Sequence, residues 1–295
     1  MISFNYIKKF GAFGSVLGIM QNITHPYHSQ TPHLLSISSK TSNFPIKSHS
    51  TTLSFQLSCS SSSSTKLEGH LVQVNDQKLG PRPEYKPTWL DDFFLNSFRQ
   101  KLVEEVGWES EKEGYDGLIE LANGLLVGRS KEKASQAAVR ILKSLFPPFL
   151  LDLYRTLITP IGGGKIAAIM VARVTAFTCQ WLMGPCSVNS ITLPDGSSCQ
   201  SGVFVERCKY LEESKCVGVC VNTCKLPTQT FFKDEMGIPL LMEPNFKDYS
   251  CQFSFGVPFP PCENDTSINE PCLEICPNAP NQREGFINVK QCPRS

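Results

Sequence analysis

An α+β fold is predicted, with an N-terminal helical layer of four to five helices followed by a cysteine-rich region with short strands. Three features lead there. Apolar residues recur at spacings of three and four between positions 85 and 184, and turn signals with short alternating runs replace that period after Pro185. Twelve of the thirteen cysteines fall between Cys179 and Cys292, so thiol chemistry organises the second half.

Residues 1–67 contain no Asp, Glu or Arg, but five Lys and sixteen Ser, with a run from Ser60 to Ser64. Such a stretch offers too little contiguous apolar surface to offset the entropy of ordering it. Its length, Ser richness and missing acids suit a disordered organelle transit peptide, and the missing Arg favours a plastid over a mitochondrion. The segment Gly11 to Met20 only half fits a secretory signal. Residues 68–84 read as a linker, 85–184 as the helical layer and 185–295 as a cysteine-rich metal-binding layer, with 85–276 forming one functional unit.

Thr88 with Asp91 forms a capping box, and Trp89, Phe93, Phe94, Phe98, Leu102 and Val106 continue the first helix until Gly107. Asp116 opens a second through Leu118, Ile119, Ala122, Leu125 and Leu126. Ser130 caps a third carrying Ala134, Ala138, Ile141, Leu142 and Leu145, which Pro147 and Pro148 stop. The two prolines start a fourth, with Leu150, Leu153, Tyr154 and Leu157 on a shared face up to Pro160. Lys165 to Met183 is apolar enough to suggest a membrane span. Arg173 near its centre costs roughly 2.5 to 3.5 kcal/mol in a bilayer, which favours a buried helix and leaves a peripheral contact open.

Pro194-Asp195-Gly196 reads as a turn between strands at Val188 to Leu193 and Gly202 to Val205. Ile238 to Met242 and Cys251 to Val257 supply two more, and the final thirty residues read as irregular.

Charge and histidine content exclude several classes. The chain carries +1, and removing the five Lys of residues 1–67 leaves 23 bases against 27 acids, or −4. Neither value suits a nucleic-acid partner. All five histidines lie at or before His70, so cleavage near there excludes Ser/His/Asp catalysis, histidine-rich zinc sites and the two-histidine iron triad. Gly162-Gly163-Gly164-Lys165 lacks phosphate-loop spacing and serves as a flexible helix entry, and no dinucleotide fingerprint occurs.

Cys216, Cys220 and Cys224 are spaced by four and would line one face of a helix, although the alternating Val217, Val219 and Val221 also permit a loop or strand. Either way three sulfurs converge on one centre, with Cys276 before Pro277 as a fourth ligand and Cys272 or Cys251 competing for that role. The spacing admits iron, mononuclear or clustered, as well as structural zinc or redox-active thiols. Cys179, Cys186, Cys199, Cys208, Cys262 and Cys292 read singly as small buried hydrophobes or occasional disulfides. Glu206, Glu212, Glu213, Asp234, Glu243 and Asp248 lie near the cysteines and read mainly as solvated surface.

The stretches YKPTWLDDFFLNSFRQKLVEEVGW (85–108), YDGLIELAN (115–123), LFPPFLLDLY (145–154), KIAAIMVARVTAFTCQWLMGPC (165–186), GVFVERCKYLEESKCVGVCVNTCKLPTQTFFKDEMGIPL (202–240) and MEPNFKDYSCQFSFGVPFPP (242–261) closely resemble the plant dwarf-twenty-seven family. The resemblance implies a plastid, iron-containing β-carotene isomerase, in the stroma or membrane-associated. It would interconvert all-trans- and 9-cis-β-carotene and pass the 9-cis form to carotenoid cleavage enzymes of strigolactone biosynthesis. Assigning iron to Cys216, Cys220, Cys224, Cys251, Cys272 and Cys276 comes from their spacing, not from the resemblance. The competing reading is a non-catalytic cysteine-rich metal-binding or redox scaffold. A substrate that long needs an apolar groove, for which the Lys165 to Met183 helix, Phe146, Phe149 and the Phe93, Phe94, Phe98 face are candidates.

Overall fold

The computed structural model describes residues 80–273, 275 and 276. The transit-peptide reading, the histidines, Cys59, Pro277 and Cys292 lie outside the described residues. From residue 80 the chain runs without regular structure to α1 (Trp89–Val106), and Arg82 pins this entry by pairing with Glu212 and Glu213.

Helix α1 begins at the expected capping box, with the Thr88 amide and hydroxyl both donating to Asp91 at 2.5 and 2.8 Å, and ends at Gly107. α2 (Gly114–Gly124) and α3 (Lys131–Ser144) follow, the latter capped by Ser130 Oγ accepting from the Lys133 amide at 3.3 Å. Together they bury Leu102, Leu118, Leu121, Leu125, Ala137 and Ile141.

α4 (Leu150–Leu153) continues into a π-helical turn, Tyr154–Ile158, and here one expectation is corrected. Leu153 and Leu157 do not share a packed face with Tyr154. They are 55% and 56% exposed, while Leu151, Tyr154 and Ile158 pack against the core. A short turn, Ile161–Gly164, precedes α5 (Lys165–Thr178), and Gly162, Gly163 and Gly164 at φ of +61°, +65° and +87° separate the two. Cys179 breaks the expected long helix before α6 (Gln180–Met183).

The sheet is antiparallel in the order β1-β2-β4-β3, from β1 (Cys186–Thr192), β2 (Ser198–Val205), β3 (Leu240–Pro244) and β4 (Cys251–Phe255). Pro194-Asp195-Gly196 forms the predicted turn, and a bulge interrupts β1 between Asn189 and Ile191. Ala167, Ala168, Val171, Ala172 and Ala176 of α5 lie against Val203, Val205, Phe253 and Phe255. That alanine stripe lets the helix axis approach the sheet closely. On the sheet, Gly202 leaves room for the side chains of Asn189 and Gln252, which exchange amide hydrogen bonds at 2.8 and 3.1 Å.

Between β2 and β3 the chain forms α7 (Lys209–Ser214), α8 (Val217–Val219), a π-helical turn Cys220–Lys225 and α9 (Leu226–Met236). The four strands fall where the sequence places them, and the stretch carrying Cys220 and Cys224, open to helix, loop or strand, is helical. A third cluster, including Leu211, Val217, Val221, Phe246, Tyr249 and Leu273, ties the stretch to the C-terminal strap.

Candidate functional site

The thiols gather where the three apolar clusters meet. Cys208, which caps the start of α7, packs against all three, Cys224 packs against the sheet and helical clusters, Cys251 belongs to the sheet cluster and Cys220 to the strap cluster. Sequence reading placed Cys208 among the fillers. The structure makes it the common neighbour of Cys220, Cys224 and Cys251.

Cys216 does not line up with Cys220 and Cys224 on one helical face. Its backbone is extended (φ −139°, ψ 115°) just before α8, and its thiol is hydrogen-bonded to that of Cys276. Cys220 and Cys224 lie within the π turn, where an added residue per turn changes the angular spacing that an α-helix would impose. Cys272 sits half-buried on the strap cluster. The six sequence candidates thus divide into Cys220, Cys224 and Cys251 around Cys208, the pair Cys216 and Cys276, and Cys272 nearby. Cys262 is disulfide-bonded, whereas the junction thiols are reduced.

Burial holds these thiols in the protonated state. It is the largest cause pushing Cys224 up to about 12, with Cys208 and Cys179 adding to it and a Thr228 hydrogen bond opposing. Cys220 and Cys251 are raised well above the ordinary range by burial and then by neighbouring thiols, with the Lys225 ammonium opposing. Cys208 is raised by burial against the amides of Leu211 and Tyr210. For Cys216 the Cys276 hydrogen bond is the largest cause and burial the second.

Polar groups frame the junction. Tyr210 donates to Thr223 Oγ1 at 2.7 Å, which donates in turn to the Val219 carbonyl at 2.7 Å. Tyr115 donates to the Leu182 carbonyl at 2.5 Å and carries the Lys209 ammonium 3.8 Å above its ring. Lys225, the last residue of the π turn, is only 4% exposed and donates to Asp265 Oδ1 and Ser267 Oγ, both at 2.7 Å. Glu212 and Glu213 are held by arginines, Glu212 by Arg82 and Arg207.

Chemically the donor set suits a soft or borderline metal. Geometrically, among the described residues, no three His, Cys, Asp or Glu side chains are grouped so that they could hold one ion. The thiols therefore stand apart and do not form a ready-made site for one ion.

The aromatic residues expected to line one groove separate. Phe98 meets Trp181 edge-on in the helical cluster at 5.8 Å, Phe146 stacks on Phe231 in the sheet cluster at 5.5 Å, and Phe149 is 82% exposed. A cleft of about 320 Å³ opens elsewhere, between the glycine turn and the sheet end, lined by Thr159, Gly163, Lys165, Leu193, Asp195 and Gly256. Lys165 closes one wall by pairing with Asp195 at 2.8 Å and Ser197 at 2.9 Å, the main cause holding the Asp195 carboxyl below the usual range.

Fold and site define a class, that of small α+β proteins which bury a nest of protonated thiols at the meeting point of their packing clusters. The sequence profile of the family "Beta-carotene isomerase D27-like, C-terminal" matches residues 181–264, spanning the sheet, the π turn and α9. The chain is 32% identical over 206 residues to "Beta-carotene isomerase D27, chloroplastic" of Medicago truncatula, covering 69% of this chain and 79% of that protein. It is 31% identical over 192 residues to the Arabidopsis thaliana protein of the same name, covering 63% and 71%. The chain belongs to the beta-carotene isomerase D27-like family. No solved structure matches it.

Proposed function

We propose that this chain is a plastid β-carotene isomerase that interconverts all-trans- and 9-cis-β-carotene, delivering the 9-cis form to carotenoid cleavage enzymes of strigolactone biosynthesis. The observation that carries the reading is similarity over most of the length of two relatives named chloroplastic beta-carotene isomerases. As a member of their family the chain is an isomerase of the plastid. A peripheral contact with plastid membranes belongs to the same reading, because carotene resides in lipid.

Rotation about a double bond within a conjugated polyene requires that bond's order to fall and then be restored. Nothing is oxidised or reduced overall, so no nucleotide or hydride carrier is needed. The protonated state of Cys208, Cys220, Cys224 and Cys251 counts against unassisted attack by a thiolate, which is the nucleophilic form. Their apolar surroundings exclude water from any polyene segment admitted there. The same reading includes an iron requirement, and one ion would have to draw these buried thiols together from their present spacing. When bound, iron would supply one-electron exchange.

Purified full-length protein given all-trans-, 9-cis- or 13-cis-β-carotene in detergent micelles tests the reading through chromatographic isomer ratios. All-trans and 9-cis substrate are expected to converge on one mixture, and ratios equal to the thermal control would refute it. Cys220→Ser and Cys224→Ser are expected to slow the reaction, with iron content measured alongside. An inactive zinc protein would favour the scaffold reading.

A further inference from the structure

We propose that the outer face formed by α4, its π-helical turn and α5 docks onto an anionic lipid surface. This names the surface partner of the isomerase reading and rests on that reading only for why a carotene would be met there. Phe149, Leu153, Leu157 and Ile161 follow one another at intervals of four and are 82%, 55%, 56% and 47% exposed, and Ile166, at 45%, folds back over Gly162. Burying such side chains is worth too much for chance exposure of five in a row. Phe149 adds a second anomaly. It sits at φ +66°, a region bulky residues avoid, and its ring is exposed just after Pro148.

The stripe continues along α5. At 100° per residue, Ile166, Met170, Arg173 and Phe177 fall within about 40° of one line. The opposite side, Ala167, Ala168, Val171, Ala172, Thr175 and Ala176, is buried. A helix packed on protein along one side cannot be surrounded by lipid. Although Ile161–Thr178 is long and apolar enough to cross a membrane by composition, only α5 is continuous helix beyond the glycine turn. Its 14 residues reach about 21 Å, short of the roughly 30 Å hydrocarbon core. The geometry is that of a helix lying in the interface.

Charge selects the occupant. Arg173 is exposed midway along the apolar line, with no ion pair or hydrogen bond among the described residues, and suits a phosphate or sulfonate head group. Asp152 is the acid beside the stripe. Thr159, Gly163 and Lys165 of the cleft belong to the same connecting segment as Ile161, so the cleft adjoins the docked surface.

Vesicle flotation of the full chain tests this, with phosphatidylcholine alone or mixed with phosphatidylglycerol. The wild type is expected to float, more completely on anionic vesicles. Leu153→Asp with Leu157→Asp, both on the exposed face, should lower partitioning about tenfold or more with the far-UV spectrum unchanged. Arg173→Gln should cost about fivefold on anionic vesicles and nothing on neutral ones. Flotation of the double variant equal to wild type, or no flotation of wild type on either vesicle, overturns the proposal. So does a wild-type dimer in light scattering that the double variant dissociates, which would make the face a contact between copies. Activity separates the two readings: a variant active on carotene in micelles but not in vesicles supports docking, whereas wild type that floats yet is inactive in both defeats the isomerase reading alone.

Discussion

Asp265→Ala isolates the bond that fastens the C-terminal strap to the thiol-bearing π turn. Lys225 and Asp265 are 4% and 5% exposed, so removing the carboxylate strands an ammonium in the interior. Breaking a buried pair from one side costs about 3 to 5 kcal/mol, and because Lys225 keeps its Ser267 contact the lower end applies, about 3 kcal/mol. Against a total stability of about 5 to 15 kcal/mol that is a large fraction. Lys225→Met combined with Asp265→Leu removes both charges and should return to within about 1 kcal/mol of wild type, because the desolvation cost disappears with the attraction. Urea unfolding followed by tryptophan fluorescence compares wild type, Asp265→Ala and the double variant. Burial alone would raise the Asp265 carboxyl, but hydrogen bonds from Lys225 and Ser267 outweigh it and hold its pKa below the ordinary value. The stability this confers is present above the unfolded pKa near 4, and it disappears as pH falls through the lower folded value. A cost under about 1 kcal/mol for Asp265→Ala would show that the pair is hydrated in solution and refute the reasoning.

Gly202→Ala should destabilise by about 1 to 3 kcal/mol, because the added methyl would overlap Asn189, Ile191 and Gln252; an unchanged urea midpoint would show that the amide pair moves aside freely. The raised thiols carry the opposite pH sign to Asp265. The native state holds protons that the unfolded chain releases above about pH 8.5, so the urea midpoint should fall between about pH 8.5 and 10. At pH 8, iodoacetamide labelling read by mass spectrometry should spare Cys208, Cys220, Cys224 and Cys251 in folded protein and modify them in urea, and rapid labelling of the folded form would contradict their burial.

The helical layer was legible because its signals are local. Thr88, Asp91 and Gly107 mark α1, Ser130 marks α3, and the Pro194-Asp195-Gly196 turn locates the first hairpin. The face of the fourth helix was misread because a π turn changes the period on which face assignment depends, so Leu153 and Leu157 point outward. Helix α9 went unrecognised since Pro227 and two threonines argue against helix, although proline in the first turn and Gly237 just past the end are the available markers. At the site, spacing left Cys220 and Cys224 open to a helix, a loop or a strand, and it could not show that Cys216 precedes the helical segment in extended backbone. Nor could it show Cys208 beside Cys251, a proximity that follows from the Cys208 amide donating to the Tyr249 carbonyl at 2.7 Å, which residue order does not encode.

The position of Cys208 constrains every attempt to redesign this protein. A side chain pressed against three separate packing groups leaves no group free to be resized alone: enlarging one shifts the sulfur into the other two, and trimming the sulfur opens a gap bordered by all of them. Substitutions in the helical layer, the sheet and the strap should therefore prove non-additive wherever they border residue 208, and variants that alter the junction must be sought as combinations.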